Sequence, residues 1–223
     1  LGIIRRVSKA YDGEVRPHIN KEKKVREVIS AFSKKINDMI SDHIKYMDIT
    51  NSNTFATCYV GNNLDLPDTI KEKNIYLVIS HPPYLNSFNY SPIFSLELYW
   101  GKVFEKNYSP LVSLYKEEMK AHPASESITE QYFNHLRDCY TQTFNIQKNG
   151  DYLAVVIGDC TRKGELIPVL KNTQKIIEEI GYKTIMLNYR TTHYGLGKYA
   201  YKHRADYHDD INGKKDGILI FQK

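Results

Sequence analysis

Residues 78–90 read VISHPPYLNSFNY, from Val78 to Tyr90. An apolar run of strand character ends abruptly at Pro82, Pro83 and Tyr84, with His81 directly before the prolines. Proline fixes φ and has no N–H to donate. It also pushes the residue before it into extended backbone. Two in succession therefore hold the chain straight where a helix would otherwise begin. A carbonyl in such a corner is not recruited into helical hydrogen bonding and is free to face a ligand, with the flat ring of Tyr84 beside it.

Working outward, apolar segments alternate with amphipathic ones. Strands are expected at 54–60, 74–80, 151–159, 182–190 and 215–223. Helices are expected at 21–47, from Ile93 to Phe104, at 109–121, from about Thr129 to Gln147 and at 165–181. Strands alternating with helices imply an α/β sheet. In such sheets ligands bind at the carboxyl ends of the strands, where the proline corner falls.

The corner suits one chemical task. The exocyclic amine of adenine or cytosine is a poor nucleophile because its lone pair is delocalised into the ring. A side-chain acceptor and a backbone carbonyl, each taking one amine hydrogen, localise that pair toward an electrophilic methyl group. An aromatic face stacks on the base once it is flipped from the duplex. Catalysis of this kind is positioning and electrostatics.

The segment resembles the Asp/Asn/Ser-Pro-Pro-aromatic motif of the amino-methylating (N4-cytosine/N6-adenine) site-specific DNA methyltransferases. Other blocks agree in order. RRVSKAYDGEVRPHINKEKK resembles an insert of the same group, and CYVGNNLDLP (58–67) resembles the motif that contacts the cofactor adenine. SLELYW follows the corner, and GDYLAVVIGD with RKGELIPV resembles the later catalytic-half strand and helix. The resemblance spans nearly the whole chain. It implies a Rossmann-like fold that uses S-adenosylmethionine and no metal, with double-stranded DNA as partner. The sheet would be mostly parallel with an antiparallel C-terminal strand. By that resemblance His81, Pro82, Pro83 and Tyr84 are catalytic, while Asn62, Asn63, Ser80 and His81 contact the cofactor. Asn86 and Ser87 would line the target-base pocket; capping of the next helix is the alternative for them, and a plain turn for Asn62 and Asn63.

Two departures bear on function. The family's glycine-rich cofactor loop is not in this sequence: Gly195-Leu196-Gly197 precedes KYAYKHR, not an apolar helix. In the family order 3-2-1-4-5-7-6, strands three to seven are expected here, and the first strands with the glycine loop from a preceding portion or a partner subunit. His81 also stands where the family has Asp, Asn or Ser. A neutral imidazole has one acceptor nitrogen, and a protonated one has none, so activity should fall in mild acid. The alternative is a catalytically degenerate DNA-binding or assembly subunit.

Residues 1–35 hold ten Lys/Arg against four Asp/Glu, whereas the whole chain is only +5. A basic, helical segment (1–50) ahead of a catalytic-half domain (51–223) suits a polyanion, with Arg5, Arg6, Lys23 and Lys24 as phosphate ligands. In the loop 191–209, Lys198, Tyr201, Lys202 and Arg204 interleave cations with aromatics, as single-stranded nucleic acid requires. His203, His208, Asp209 and Asp210 lack the frame of a metal site. Tyr99 and Trp100 are expected in the core. Cys58, Cys139 and Cys160 have no metal-ligand spacing and fit reduced cysteines in a cytoplasmic protein.

Overall fold

The computed structural model describes residues 2–11, 18–50, 55–59, 61–104, 118–189 and 216–223. They form two compact units, Leu1–Val60 with Tyr90–Glu118, and Gly61–Asn89 with Met119–Lys223. The units are not contiguous in sequence, because the first also takes in the segment after the proline corner.

In the first unit, α1 spans Val28–Ile49, with the Glu27 carboxylate accepting from the Ile29 and Ser30 amides. Among the described residues, the other helices of this unit are α3 (Tyr90–Ile93) and α4 (Ser95–Phe104). Glu118 caps α3, taking the amides of Tyr90 and Ser91. The expectation that Tyr99 and Trp100 belong to a core is not met: they are 63% and 37% exposed. A buried residue nearby is Ile93, on the preceding helix α3. Tyr99 helps line a cavity of about 420 Å³ together with Lys9, His18 and Leu96.

The second unit contains α2 (Asp68–Lys71), β1 (Leu77–Ser80), α5 (Glu126–Ile146), β2 (Tyr152–Gly158), β3 (Cys160–Arg162), β4 (Glu165–Ile167), α6 (Val169–Ile180), β5 (Lys183–Tyr189) and β6 (Asp216–Gln222). The main sheet is ordered β1-β2-β6-β5. β1 and β2 pair in parallel, and β6 is antiparallel to both β2 and β5. Three strands thus share one direction and the C-terminal strand opposes them.

Two sequence expectations change. Residues 55–59 of the expected strand 54–60 form no strand. A strand exists only with a ladder partner, and no described strand lies there to supply one. The start of the expected helix at 165–181 is instead a hairpin, β3–β4. Lys163 (φ 50) and Gly164 (φ 86) both adopt left-handed backbone, as a two-residue hairpin turn requires. The helix begins only after Pro168, at Val169. The expected helix 109–121 falls mostly outside the described residues, and 118–121 are not helical.

Residues paired across a ladder share a face. One face of the sheet carries Leu153, Val155, Ile157, Leu219 and Phe221, all fully buried. α5 and α6 cover this face. α5 contributes Tyr132, Leu136 and Tyr140 at helical spacing; α6 contributes Val169, Leu170 and Ile177. Gly181 (φ 124) ends α6, and a Cβ there would lie 3.0 Å from the Phe144 ring.

The opposite face is also apolar but open. Leu77, Ile79, Tyr152, Ala154, Val156, Ile218, Ile220 and Met186 line up across the ladders, and none is buried. Ile79 is 74% exposed. The 74–80 strand is therefore, among the described residues, an edge strand covered on one face. Sheets with parallel strands ordinarily have both faces covered.

Candidate active site

β1 ends at Ser80, opposite Val155, and β2 runs on past it to Gly158. β6 starts at the same edge, with Asp216 opposite Gly158. The proline corner leaves β1 at this edge, and the second unit's interior fixes it from below. Leu85 is 2% exposed and anchors the chain after the corner. The Tyr132 hydroxyl, from a fully buried ring on α5, donates to the Pro83 carbonyl at 2.7 Å. Among the described residues, no backbone group donates to the Pro82 carbonyl.

Tyr84 donates its hydroxyl to Asp216 Oδ1 at 3.1 Å, and Asp216 is 5% exposed. The ring passes over Gly158, where a Cβ would come within 3.1 Å of Tyr84 Cε2 and 3.3 Å of Asp216 Cγ. Glycine at that position makes room for the aromatic ring. The exposed His81 ring meets Tyr84 edge to face, with centroids 5.3 Å apart and planes at 89°. His81, Pro82 and Tyr84 thus form one accessible corner whose underside is rigid.

Asn86 holds the far side of the turn. Its backbone is left-handed (φ 60), a conformation asparagine tolerates better than most residues. Its side-chain amide donates to the Thr161 carbonyl at 2.7 Å, and its carbonyl accepts from the Ala124 amide at 3.0 Å. Its own amide donates to the Ala121 carbonyl at 2.6 Å. These partners make Asn86 a clamp on the backbone of the turn. Replacing Asn86 by alanine should cost about 2–4 kcal/mol, from two lost hydrogen bonds and the left-handed strain. Asn86→Gly should cost less because it relieves the strain, and urea unfolding of both variants measures the difference. Ser87, by contrast, is exposed.

The remaining expected cofactor contacts have protein partners. The Ser80 hydroxyl lies 3.2 Å from Tyr140 Oη. Burial pushes the Tyr140 hydroxyl well above its ordinary pKa, partly offset by the bond to Ser80. Ser80 thus faces the helical layer. Asn62 Oδ1 accepts from the Leu64 amide at 3.0 Å, closing its own turn. Asn63 is exposed and hydrogen-bonds the Cys139 thiol, whose pKa burial raises. Asp159, one residue past β2, accepts from the Leu170 amide at 2.9 Å and caps α6.

Of the expected phosphate ligands, Arg5 and Lys23 are engaged within the first unit. Arg5 pairs with Glu97 at 2.8 Å and also donates to the Ile93 carbonyl. Lys23 donates to the Arg5 carbonyl and, at 2.6 Å, to the Ala10 carbonyl. Lys9 is held likewise, by the carbonyls of Lys21 and Lys23. These cations satisfy backbone carbonyls in a segment with few ladder bonds. Arg6 and Lys24 are exposed. Lys198, Tyr201, Lys202 and Arg204 lie outside the described residues, as do His203, His208, Asp209 and Asp210. Among the described residues, no group of three or more His, Cys, Asp or Glu could hold a metal. No described helix is long and apolar enough to cross a membrane.

Motif reading singled out the corner but missed Tyr132, Gly158 and Asp216. Each is remote from it in sequence and looks like an ordinary helix or strand residue, so only the ladder register and the packing of α5 bring them together.

No protein-family model matches the chain, and no curated protein matches it. Among solved structures it is similar to a Thermus thermophilus protein provisionally named a DNA modification methylase. For its selenomethionine derivative the identity is 14%, with 73% of this chain and 50% of that one covered, at a TM-score of 0.41. For the form complexed with S-adenosyl-L-methionine the values are 15%, 74%, 54% and 0.39. A further form gives 15%, 74%, 52% and 0.38. The chain spans about half the length of these structures, and the α/β assignment rests on its own strand order and register.

Proposed function

We propose that this chain is the catalytic half of an S-adenosylmethionine-dependent methyltransferase that modifies cytosine N4 or adenine N6 in DNA, as part of a restriction-modification system. The observation that carries the reading is the proline corner at the carboxyl end of β1. There Tyr132 takes the Pro83 carbonyl and Asp216 fixes Tyr84, leaving the Pro82 carbonyl and the exposed His81 ring for a ligand. The strand order β1-β2-β6-β5 supports it, being that of strands 4-5-7-6 in the family sheet.

S-adenosylmethionine, when bound, supplies an electrophilic methyl group. This chain's part is to hold the acceptor. The Pro82 carbonyl and the His81 acceptor nitrogen each take one hydrogen of the exocyclic amine, while Tyr84 stacks on the flipped base. The amine lone pair would form the new N–C bond as the methyl group's bond to sulfur breaks, and the proton then lost from the amine would pass to solvent. The described residues fit this transfer end. Asn62, Asn63 and Ser80 are already engaged in the protein, so the remaining cofactor contacts are assigned to a second portion, on the same polypeptide or a partner subunit. The open apolar face and the outer edge of β1, which no described strand pairs, are where its strands and helices would fit. Arg6 and Lys24, with Lys198, Tyr201, Lys202 and Arg204, are proposed DNA contacts.

The test is transfer of a radiolabelled methyl group to DNA, with this chain alone and with the glycine-loop portion added. Label on the exocyclic amine only when both are present is the expected result. No transfer in the complete assembly, with DNA still retained, would favour the degenerate binding subunit.

A further inference from the structure

Helix α1 has no buried residue, yet it is strongly amphipathic. Ile29, Phe32, Ile36, Met39, His43 and Tyr46 follow one another at alternating steps of three and four residues, the spacing of a coiled-coil seam. All six are exposed; Phe32, Met39 and Tyr46 are each more than half exposed. Ile40 and Met47 flank the seam on one side. On the other stand Val28, Lys35, Asp42 and Ile49. Ile44 lies outside it.

We infer that this seam pairs with the same helix of a second copy, antiparallel, about a two-fold axis between Ile36 and Met39. The flanking charges choose the orientation. In antiparallel register Ile36 meets the second copy's Met39, and Phe32 its His43. Lys35 then faces the second copy's Asp42, twice by symmetry, and Val28 faces Ile49. In parallel register Lys35 would face Ile40 and Asp42 would face Met47, so both charges would oppose apolar side chains. The self-complementary pattern is the isologous arrangement a two-fold dimer needs. Asp42 keeps its contact with Lys45, 3.6 Å away on its own helix.

Sedimentation equilibrium of the full chain over a concentration series tests this. A monomer–dimer equilibrium is expected. Lys35→Glu should weaken it about tenfold, the size expected for two exposed pairs turned repulsive. Lys35→Glu combined with Asp42→Lys should recover most of that loss. These positions lie on the solvent side of the seam, so the variants keep the fold; circular dichroism checks this. A chain monomeric at every concentration would overturn the inference. So would a dimer indifferent to Lys35→Glu, or one the double reversal fails to restore.

Discussion

Replacing Tyr132 by alanine is expected to destabilise the second unit by about 3–5 kcal/mol, the range for emptying a large buried aromatic site. The ring is 0% exposed and sits in the cluster formed with Leu85, Leu136 and Leu153, so neighbours cannot easily close the gap. Its hydroxyl is also the hydrogen-bond donor to the Pro83 carbonyl. Tyr132→Phe separates the two contributions: it keeps the packing and should cost about 1 kcal/mol, with the carbonyl left unpaired. Urea unfolding measures both. Hydrogen exchange at Asn86 and Ser87, whose amides are bonded to the Ala121 and Tyr84 carbonyls, should quicken in the phenylalanine variant, because the corner loses its tie to α5. An alanine variant as stable as the wild type would mean that α5 does not pack beneath the corner.

Under the proposed methyltransferase reading, replacing His81 by alanine should reduce methyl transfer at least about a hundredfold, the loss typical of removing one preorganised group that acts in the transition state. The side chain is exposed and its ring meets that of Tyr84 edge to face, so stability and DNA retention should be unchanged. His81→Asn should restore activity, because the amide oxygen is an acceptor at the same place. Full activity in the alanine variant would exclude His81 from the transfer step. No activity in either variant, with the complete assembly present, would count against the amine-holding role.

Sequence made some elements legible and hid others. β2, α5, β5 and β6 were readable because each is a long run with recurring apolar residues, β2 and β5 each following closely on a glycine. The β3–β4 hairpin was not, because Lys163-Gly164 is a weak turn signal and the residues after it continue an apolar pattern suggesting helix. The segment 54–60 has strand composition, yet its described residues 55–59 form no strand, since ladder pairing is a property of two segments. The proline corner stood out because proline constrains its own backbone and that of its neighbour wherever it occurs. The charged residues of the first 35 were harder. Composition marks Arg5 and Lys23 as cations, but cannot say that one is spent on Glu97 and the other on backbone carbonyls.

By itself, then, the sequence determined the local backbone of VISHPPYLNSFNY: a strand, a rigid extended corner, an aromatic beside it. These follow from dihedral restrictions that act within one or two residues. Tertiary structure alone decided what the corner can do. It set Gly158 beneath Tyr84 and Asp216 against its hydroxyl, and it placed Tyr132 on the Pro83 carbonyl and Asn86 on Thr161 and Ala124. Those partners lie between 38 and 132 residues away along the chain for the four side-chain hydrogen bonds. The parallel register of β1 with β2 and the antiparallel return of β6 bring them together, and no local propensity encodes that register.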